Sequence, residues 1–277
     1  MHPLITVAFP TRHRTDKVEK FIDSLYSTIN ADKQDPYVLA INDAPASENE
    51  SYELRSIIGG LLPEFQVIHN PIKKGLAALW NDCVINAPTD WVLICNDDII
   101  FKSNWLEYLE KQIATDQFDQ IMIAHYGGMC IHKRMFLKLG WFEERFMGGG
   151  FEDNDWALRI SEAGMKDRVD MSHSFTHSED IDKSKGWIRD FGPFAEHHKI
   201  NSSKSGEDIG WEGRNNKAFI FQKWGYVPFL PSEPSIRRMY EVDWHPFYSW
   251  RWEDQYGIRS RIYEINENAH KLIGVVQ

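Results

Sequence analysis

Residues 4–25 read LITVAFPTRHRTDKVEKFIDSL and contain an apolar run followed by an amphipathic segment. The run at residues 4–9 is short and rich in β-branched residues, which is typical of a buried parallel strand. Asp16 and Glu19 have the spacing of a capping box, which predicts that a helix begins here. The apolar residues of this segment recur at helical spacing: Val18, Phe21, Ile22, Leu25 and Ile29. The stretch therefore predicts a strand followed by a helix that covers the sheet.

The same order of elements repeats along the first half of the chain. After the first pair, the predicted elements are a strand at 37–42, a helix at 52–62, a strand at 65–69, a helix at 76–86, a strand at 91–95, a helix at 105–113, a strand at 121–125 and an apolar segment at 129–132. Alternating strands and helices are typical of βαβ units. We therefore expect an α/β fold with a mostly parallel sheet flanked by helices.

Polar side chains follow the predicted strands where each strand ends. They are Thr11, Asp43, Asn70 and residues 96–98. Ligands of open parallel sheets bind beyond the carboxyl ends of the strands. We therefore expect these side chains to meet at one edge of the sheet.

Asn96, Asp97 and Asp98 directly follow the apolar strand WVLIC. Carboxylate oxygens suit Mg²⁺ and Mn²⁺, which keep several waters and bridge substrate phosphates. One or two carboxylates are enough for such a site. The alternative is a polar turn that leaves the sheet, and the acid pair alone does not decide between them.

A second acidic group, at residues 152–155, opens a predicted helix after three glycines at 148–150. Acids in a first helical turn oppose the helix dipole, and Asp155 has the spacing to pair with Arg159, so a structural role is one interpretation. Glycines also let a substrate approach the backbone closely. A carboxylate beside such a loop can deprotonate an attacking hydroxyl, which is the functional interpretation.

Length, composition and charge limit the class of protein. A chain of 277 residues with 42% hydrophobic content can form one core with an appended lobe. The net charge of −10 disfavours binding to nucleic acid. No apolar run has the length of a signal peptide or a membrane span, so we expect a soluble cytoplasmic protein, with peripheral attachment to a membrane left open. The three cysteines lie in apolar segments and are expected to be reduced core residues.

Residues 4–177 together resemble the family 2 glycosyltransferases of the GT-A fold. The motifs that carry the resemblance occur in the order of that family: ITVAFPTRHRTDKVEKFIDSL, VLAINDAP, NPIKKGLAALWN, WVLICNDDIIF and GGGFEDNDWALRISEAG. Two positions depart from the family pattern, because Asn42 and Asn96 stand where the family has an acid. The resemblance predicts a GT-A catalytic domain with a Rossmann-like nucleotide-binding sheet over residues 1–178.

Beyond that domain, residues 179–277 are rich in Trp, Pro, Ser and charged residues. They predict a helix near residues 217–224 and otherwise show no clear period. We expect a C-terminal extension that packs on the catalytic domain. Its role is either acceptor binding or oligomerisation, and the sequence does not choose between them.

The resemblance implies a donor site for a nucleotide sugar, with UDP, GDP or dTDP as the nucleotide. The residues that it assigns to the donor are Pro10, Thr11, Arg12, Asp43, Asn81, Asn96 and Asp97. It also implies Mn²⁺ or Mg²⁺ held by Asp98 and His177, with Asp97 as a further candidate ligand. On spacing alone, His173 competes with His177.

The resemblance assigns the acceptor reaction to the second acidic group. Asp153, with Glu152 beside it, would be the general base that takes the proton of an acceptor hydroxyl. Transfer would then invert the anomeric carbon of the sugar. The acceptor would be a glycan, a protein or a lipid.

Other functions compete with this interpretation. A sugar-phosphate nucleotidyltransferase would carry a glycine-rich loop after its first strand, which FPTRHRTD lacks. A non-catalytic carbohydrate-binding protein is favoured by the Trp content, with Trp156 and Trp211 as candidates for stacking on a sugar. A transferase that acts on modified DNA bases is disfavoured by the acidic charge.

Overall fold

A computed structural model describes residues 3–30, 35–146, 148–173, 178–182, 186–190, 192–199, 216, 219 and 220. Its strands are β1 (Ile5–Thr11), β2 (Tyr37–Asp43), β3 (Phe65–Asn70), β4 (Trp91–Cys95), β5 (Ile99–Phe101), β6 (Gln120–Met122), β7 (Gly128–His132), β8 (Val169–Asp170), β9 (Ser178–Asp182), β10 (Gly186–Asp190) and β11 (Ala195–Lys199). Its helices are α1 (Thr15–Ser27), α2 (Glu48–Gly59), α3 (Leu76–Asn86), α4 (Trp105–Ala114), α5 (Arg134–Leu139) and α6 (Glu152–Glu162). A 3₁₀ turn, Lys166–Arg168, precedes β8.

Seven strands form the main sheet in the order β3-β2-β1-β4-β7-β6-β8. β1 pairs in parallel with β2 on one side and β4 on the other, and β3 pairs in parallel with β2. β7 runs antiparallel to both β4 and β6, whereas β8 pairs in parallel with β6. The predicted α/β architecture with a mostly parallel sheet is therefore confirmed.

The two faces of this sheet carry separate cores. Alternate residues of a strand point to opposite faces, so β1 sends Val7 and Phe9 to one core and Ala8 to the other. The first core packs against α1, α2 and α4 and contains Phe21 and Trp105. The second packs against α3, α5 and α6. Because both faces are covered, all residues of β1 and β4 are buried, which explains their continuous apolar runs.

The start of α1 differs from its prediction. The N-cap residue is Arg14, and no side chain caps the helix with a hydrogen bond. The predicted capping box of Asp16 and Glu19 is therefore wrong, because the helix begins before it, at Thr15. A side-chain cap occurs instead at α2, where Ser47 Oγ accepts a hydrogen bond from the Glu50 N–H at 3.3 Å.

A second sheet has the order β5-β11-β10-β9. β5 begins directly after Asp98 and pairs antiparallel with β11. The strands β9, β10 and β11 thus join a sheet whose remaining strand, β5, comes from a much earlier part of the chain. Across the described segments of the chain, no helix is long and apolar enough to cross a membrane.

Phe21 of α1 is fully buried, with its ring 4.6 Å from that of Phe9 and 5.3 Å from that of Phe101. Phe21→Ala leaves a cavity between α1 and the sheet, so we expect it to lower the free energy of unfolding by about 3–5 kcal/mol. Tyr26→Ala is the matched control, because Tyr26 lies on the same helix and is 46% exposed. Its effect should stay within about 0.5 kcal/mol. Urea unfolding measures both, and equal losses would contradict the assigned core.

Candidate active site

The carboxyl ends of β1 and β4 are joined by side chains. Thr11 Oγ1 donates a hydrogen bond of 2.8 Å to Asp97 Oδ2, although 86 residues separate them in sequence. Both side chains are buried. The expected meeting of polar strand ends is therefore observed for β1 and β4, which are neighbours in the sheet.

Arg14 completes this group and was not among the predicted site residues. Its guanidinium donates from Nη1 to Asp97 Oδ1 at 2.7 Å and from Nη2 to Asp98 Oδ2 at 3.1 Å. The side chain of Arg14 is 21% exposed, whereas those of Asp97 and Asp98 are 4% and 8% exposed. One guanidinium thus contacts two buried carboxylates. They lie at the edge of the sheet formed by the carboxyl ends of β1, β2 and β4, which we call the rim.

Burial dominates the electrostatics of this group. It raises the pKa of Asp97 to about 6, the nearby Arg14 charge opposes the rise, and the charge of Asp98 adds to it. A pKa near 6 keeps most of the Asp97 carboxyl ionised at neutral pH. The pair can therefore present negative charge to a cation.

At the end of β2, Asp43 is held by the loop that follows β3. The Lys74 N–H lies 3.0 Å from Asp43 Oδ1 and 3.3 Å from Oδ2. Burial raises the pKa of Asp43, and the hydrogen bond from Lys74 and the charge of Arg12 oppose this rise. Arg12 itself is exposed in the turn after β1. Asp43 and Arg12 therefore lie close enough to interact at the rim.

Asn42 precedes Asp43 and replaces an acid of the family pattern. It is fully buried, and within the described residues neither polar atom of its side chain has a hydrogen-bond partner. Its neighbour in register on β1 is Thr11. Asn42, which departs from the family pattern, therefore lies inside the sheet, beside Thr11 at the end of β1.

Asn81 lies in α3 with no exposed surface. Its Nδ2 donates to the Phe142 carbonyl and to Glu144 Oε1, each at 3.0 Å, and its Oδ1 accepts from the Phe142 N–H at 3.0 Å. These hydrogen bonds join α3 to the segment before residues 148–150, which form the glycine loop. The expectation that Asn81 contacts a nucleotide stays a prediction, as does that for Pro10, which is buried in β1 in register with Ile41.

Hydrogen bonds hold both ends of the glycine loop in place. Gly148 accepts a hydrogen bond of 2.7 Å from the Leu76 N–H at the start of α3. Asn216 Nδ2 donates to the carbonyls of Gly149 and Gly150 at 3.4 and 3.1 Å. Gly150 has φ of +108°, a conformation that favours glycine. A residue of the predicted extension thus holds the loop that leads into α6.

Glu152 and Asp153 follow this loop in the first turn of α6. Glu152 is 4% exposed, and no described residue bonds to its Oε2. Burial, with a smaller contribution from the charge of Asp153, raises the pKa of Glu152 to about 8. Glu152 is therefore mostly protonated at neutral pH.

Asp153 is half-buried, and burial raises its pKa. A hydrogen bond of 2.8 Å from the Asn154 N–H and the charge of His125 oppose the rise. The pKa of Tyr126 is raised by burial and by the charge of Asp153. His125 and Tyr126 therefore lie near the Asp153 carboxylate.

The turn between β6 and β7 links the two acidic groups. His125 and Tyr126 belong to this turn, and the next residue, Gly127, accepts a hydrogen bond of 2.9 Å from the Asn96 N–H. Asn96 in turn accepts at its carbonyl from the Ile99 N–H at 3.3 Å. The β6–β7 turn thus contacts the strand end that carries the acids after β4 and also lies near Asp153 of α6.

Two other residues of α6 have structural roles. Asp155 is fully buried and accepts a 3.0 Å hydrogen bond from Arg159 Nε, as its spacing predicts. Trp156 is also fully buried, packs against Phe136 and donates to Gln120 Oε1 at 2.9 Å. The interpretation of Trp156 as a sugar-stacking residue is therefore wrong, because no face of its ring reaches the surface. Trp211, the other candidate, lies outside the described residues.

Two carboxylates are available for a divalent cation at this rim. Asp97 and Asp98 provide hard oxygen ligands, and the guanidinium between them demonstrates that the pair accommodates positive charge. His177 lies outside the described residues. His173 packs at right angles against the rings of Tyr108 and Phe194, beside α4. In the part of the chain that the structure describes, no group of three metal-ligating side chains occurs. Asp97 and Asp98 are of the ligand type that a cation bound also by waters and phosphates takes.

Arg14, His125 and Asn216 were missed by the sequence interpretation. Arg14 stands two residues after Arg12, and both are typical of a basic turn. No local pattern distinguishes which arginine turns toward the acids. His125 and Asn216 reach the site through a turn and through a distant segment, for which spacing along the chain carries no signal.

Comparison with known families agrees with this geometry. The sequence profile of Glycosyl transferase family 2 matches residues 6–159, more than half of the 277-residue chain. The chain belongs to glycosyl transferase family 2. The matched part of this family 2 protein covers the rim from β1 to α6, including both acidic groups. No curated protein matches the sequence.

Solved structures share the fold of this family 2 protein. The mannosyltransferase PcManGT from Pyrobaculum calidifontis, solved with GDP-Man and Mn²⁺, has a TM-score of 0.50 at 15% identity, covering 61% of this chain and 55% of that one. TarS 1–349 of S. aureus with UDP has a TM-score of 0.48 at 13% identity, covering 60% and 56%. The chain thus spans just over half the length of these proteins. The predicted GT-A fold and membership of a glycosyltransferase family are therefore confirmed.

The buried Glu152 predicts a pH-dependent stability. The folded protein holds the Glu152 proton to a pH of about 8, whereas the unfolded chain releases it near pH 4.3. Between these values the folded state binds more protons, so the Glu152 contribution to stability is lost as pH rises, by up to roughly 1.4 kcal/mol per pH unit. Glu152→Gln should remove this part of the slope.

Urea unfolding of both proteins between about pH 5 and pH 8 measures the difference, since the other titrating groups are common to both. The wild type should lose stability relative to Glu152→Gln as pH rises. Parallel stability curves would contradict the raised pKa of Glu152.

Proposed function

We propose that this protein is a metal-dependent inverting glycosyltransferase that moves a sugar from a nucleotide sugar to an acceptor hydroxyl. The observation that carries the proposal is the arrangement of two acidic groups at one rim of the sheet, linked through the β6–β7 turn. One group suits a cation and diphosphate, and the other suits deprotonation of a hydroxyl. Family membership supports the same reaction class.

The donor is proposed to bind across the carboxyl ends of β1, β2 and β4. Asp43 and Arg12 lie at the ends of adjacent strands and can contact the nucleoside. Thr11 and Asp97 are bonded to each other where the diphosphate would approach. The remaining proposed donor residues are Pro10, Asn81 and Asn96. UDP, GDP and dTDP are the candidate nucleotides.

Mn²⁺ or Mg²⁺ is proposed to be held by Asp98, with Asp97 and His177 as further ligands. When bound, such a cation supplies positive charge that stabilises the leaving nucleoside diphosphate. The protein's part would be to hold the Asp97 and Asp98 carboxylates in a buried position beside the expected diphosphate. The backbone bonds of Asn96 to Gly127 and Ile99 hold the strand end that carries them.

Asp153 is proposed to be the general base. Its carboxylate would accept the proton of the acceptor hydroxyl while the hydroxyl oxygen forms a bond to the anomeric carbon. The bond from that carbon to the diphosphate oxygen breaks on the opposite face, and the leaving group keeps the electron pair. Burial raises the pKa of Asp153, which makes it a stronger base than an exposed aspartate. Protonated Glu152 beside it does not compete for the proton.

The acceptor is proposed to be a glycan, a protein or a lipid that enters beside the glycine loop. Asn216 contacts this loop, and Phe219 packs on Phe146 at 4.9 Å. These contacts favour a role for residues 179–277 in shaping the acceptor side.

A thermal-shift panel of UDP, GDP and dTDP sugars, with and without Mn²⁺, tests the donor site. We expect one nucleotide to raise the melting temperature by about 5 °C at roughly a hundred times its dissociation constant, in the presence of metal only. Asp98→Ala should lose this shift, because it removes the principal proposed cation ligand. A shift that is equal with and without Mn²⁺, or that survives in Asp98→Ala, would contradict the metal-dependent donor site.

Replacement of the base tests the transfer step. Asp153→Asn should lower the turnover number by about a hundredfold to ten-thousandfold, because the amide cannot accept the proton. Donor binding by the thermal-shift measurement should remain. Glu162→Gln is the control, since it removes one exposed acid from the other end of α6. Near-full activity of Asp153→Asn, measured as release of nucleoside diphosphate with acceptor, would refute Asp153 as the base.

A further inference from the structure

Arg14 already supplies positive charge to the proposed cation ligands. Its two terminal nitrogens contact different carboxylates, Asp97 at 2.7 Å and Asp98 at 3.1 Å. A guanidinium is always charged in proteins and presents its donors in a rigid fork, which suits this two-carboxylate arrangement. The guanidinium therefore occupies one oxygen of each of the two carboxylates that would hold the proposed cation.

The carboxylates are the fixed members of this group. Asp97 accepts a second hydrogen bond, from Thr11 Oγ1 at 2.8 Å, and both acids are nearly fully buried. The backbone of Arg14 is also held, since its carbonyl accepts from the N–H groups of Lys17 and Val18 at 2.9 and 3.1 Å. Its long side chain is the most exposed member of the group. Displacement of the guanidinium therefore requires movement of this side chain.

Simultaneous binding of a guanidinium and a divalent cation at this site is energetically unfavourable. Arg14 already bonds to one oxygen of each carboxylate, Asp97 Oδ1 and Asp98 Oδ2, and two positive charges in contact repel strongly in a site shielded from water. Removal of the guanidinium without replacement would leave two buried like charges beside each other, which is also unfavourable. The carboxylate pair is thus stabilised by one positive partner at a time.

We propose that Arg14 competes with the divalent cation for Asp97 and Asp98, so that cation binding requires displacement of its guanidinium. Arg14 is then a positioning residue that keeps the carboxylate pair neutralised and ordered before the cation enters. This inference rests on the proposed metal-dependent function and adds a regulatory step to the same site. Competition by Arg14 makes the affinity of the protein for the cation, in the absence of donor, lower than the affinity that Asp97 and Asp98 would have without the arginine.

Binding of Mn²⁺ without donor tests the competition directly. We compare the wild type, Arg14→Gln and Arg12→Gln by electron paramagnetic resonance of free Mn²⁺. Arg14→Gln should bind Mn²⁺ about tenfold more tightly or better, which is a typical coupling between ligands. Arg12→Gln removes the same charge from the same turn, and its affinity should stay close to that of the wild type. An affinity of Arg14→Gln equal to or weaker than that of the wild type would overturn the proposal.

A second variant, Arg14→Lys, keeps the test decisive if Arg14→Gln does not fold. Arg14→Lys keeps the positive charge, but a single ammonium lacks the planar fork that reaches both carboxylates. It should therefore bind Mn²⁺ with an affinity between those of the wild type and Arg14→Gln. Stabilisation by Mn²⁺ in urea unfolding provides the same ranking without any activity measurement. Affinity of Arg14→Lys below that of the wild type would count against competition.

The outcomes separate this inference from the proposed function. Equal Mn²⁺ binding by the wild type and Arg14→Gln, lost in Asp98→Ala, would overturn the competition and leave the metal site standing. Absence of Mn²⁺ binding in all of these proteins would overturn both. Tighter binding by Arg14→Gln that is lost when Asp98→Ala is added would support both and assign the effect to this carboxylate pair.

Discussion

The parallel pairing of β1 with β2 and β4 is the constraint on which the site depends. Because the three strands run in one direction, their carboxyl ends share one edge, where Thr11, Asp43 and the acids after β4 emerge. The hydrogen bond from Thr11 to Asp97 is a direct result of this pairing. Helices on both faces bury the strands, so the polar groups at this edge are shielded from water.

Burial from water affects the ionisation of the two acidic groups differently. Asp97 and Asp98 are buried but have a cationic partner in Arg14, which favours their ionised forms. Glu152 is buried without such a partner at its Oε2 and holds a proton near neutral pH. Charge at the rim is therefore decided by which carboxyl has a basic neighbour, and not by the number of acids in each motif.

Contacts between distant segments place the second acidic group. The glycine loop is held by Leu76 of α3 and by Asn216, and the turn after β6 brings His125 toward Asp153. Each contact joins residues that are far apart in sequence. A small displacement of this loop would move Asp153 relative to the proposed donor site, which matters for the proposed proton transfer because such transfer requires hydrogen-bond distance.

The sequence by itself determined the alternation of strands and helices in the first half of the chain, the covered, mostly parallel sheet and the positions of both acidic groups. It did not predict β5, α5 or β9 to β11. These features have local or periodic signals, such as the apolar runs of β1 and β4 and the glycines before Glu152. The pairing of Asp155 with Arg159 was likewise predictable, because both lie on one helix. The role of Trp156 was not, since burial of an aromatic ring depends on helices packed from elsewhere in the chain. Only the tertiary structure decided that Arg14, rather than Arg12, contacts the acids, and that Asn216 holds the glycine loop, because side-chain direction and long-range contact leave no pattern in a single sequence.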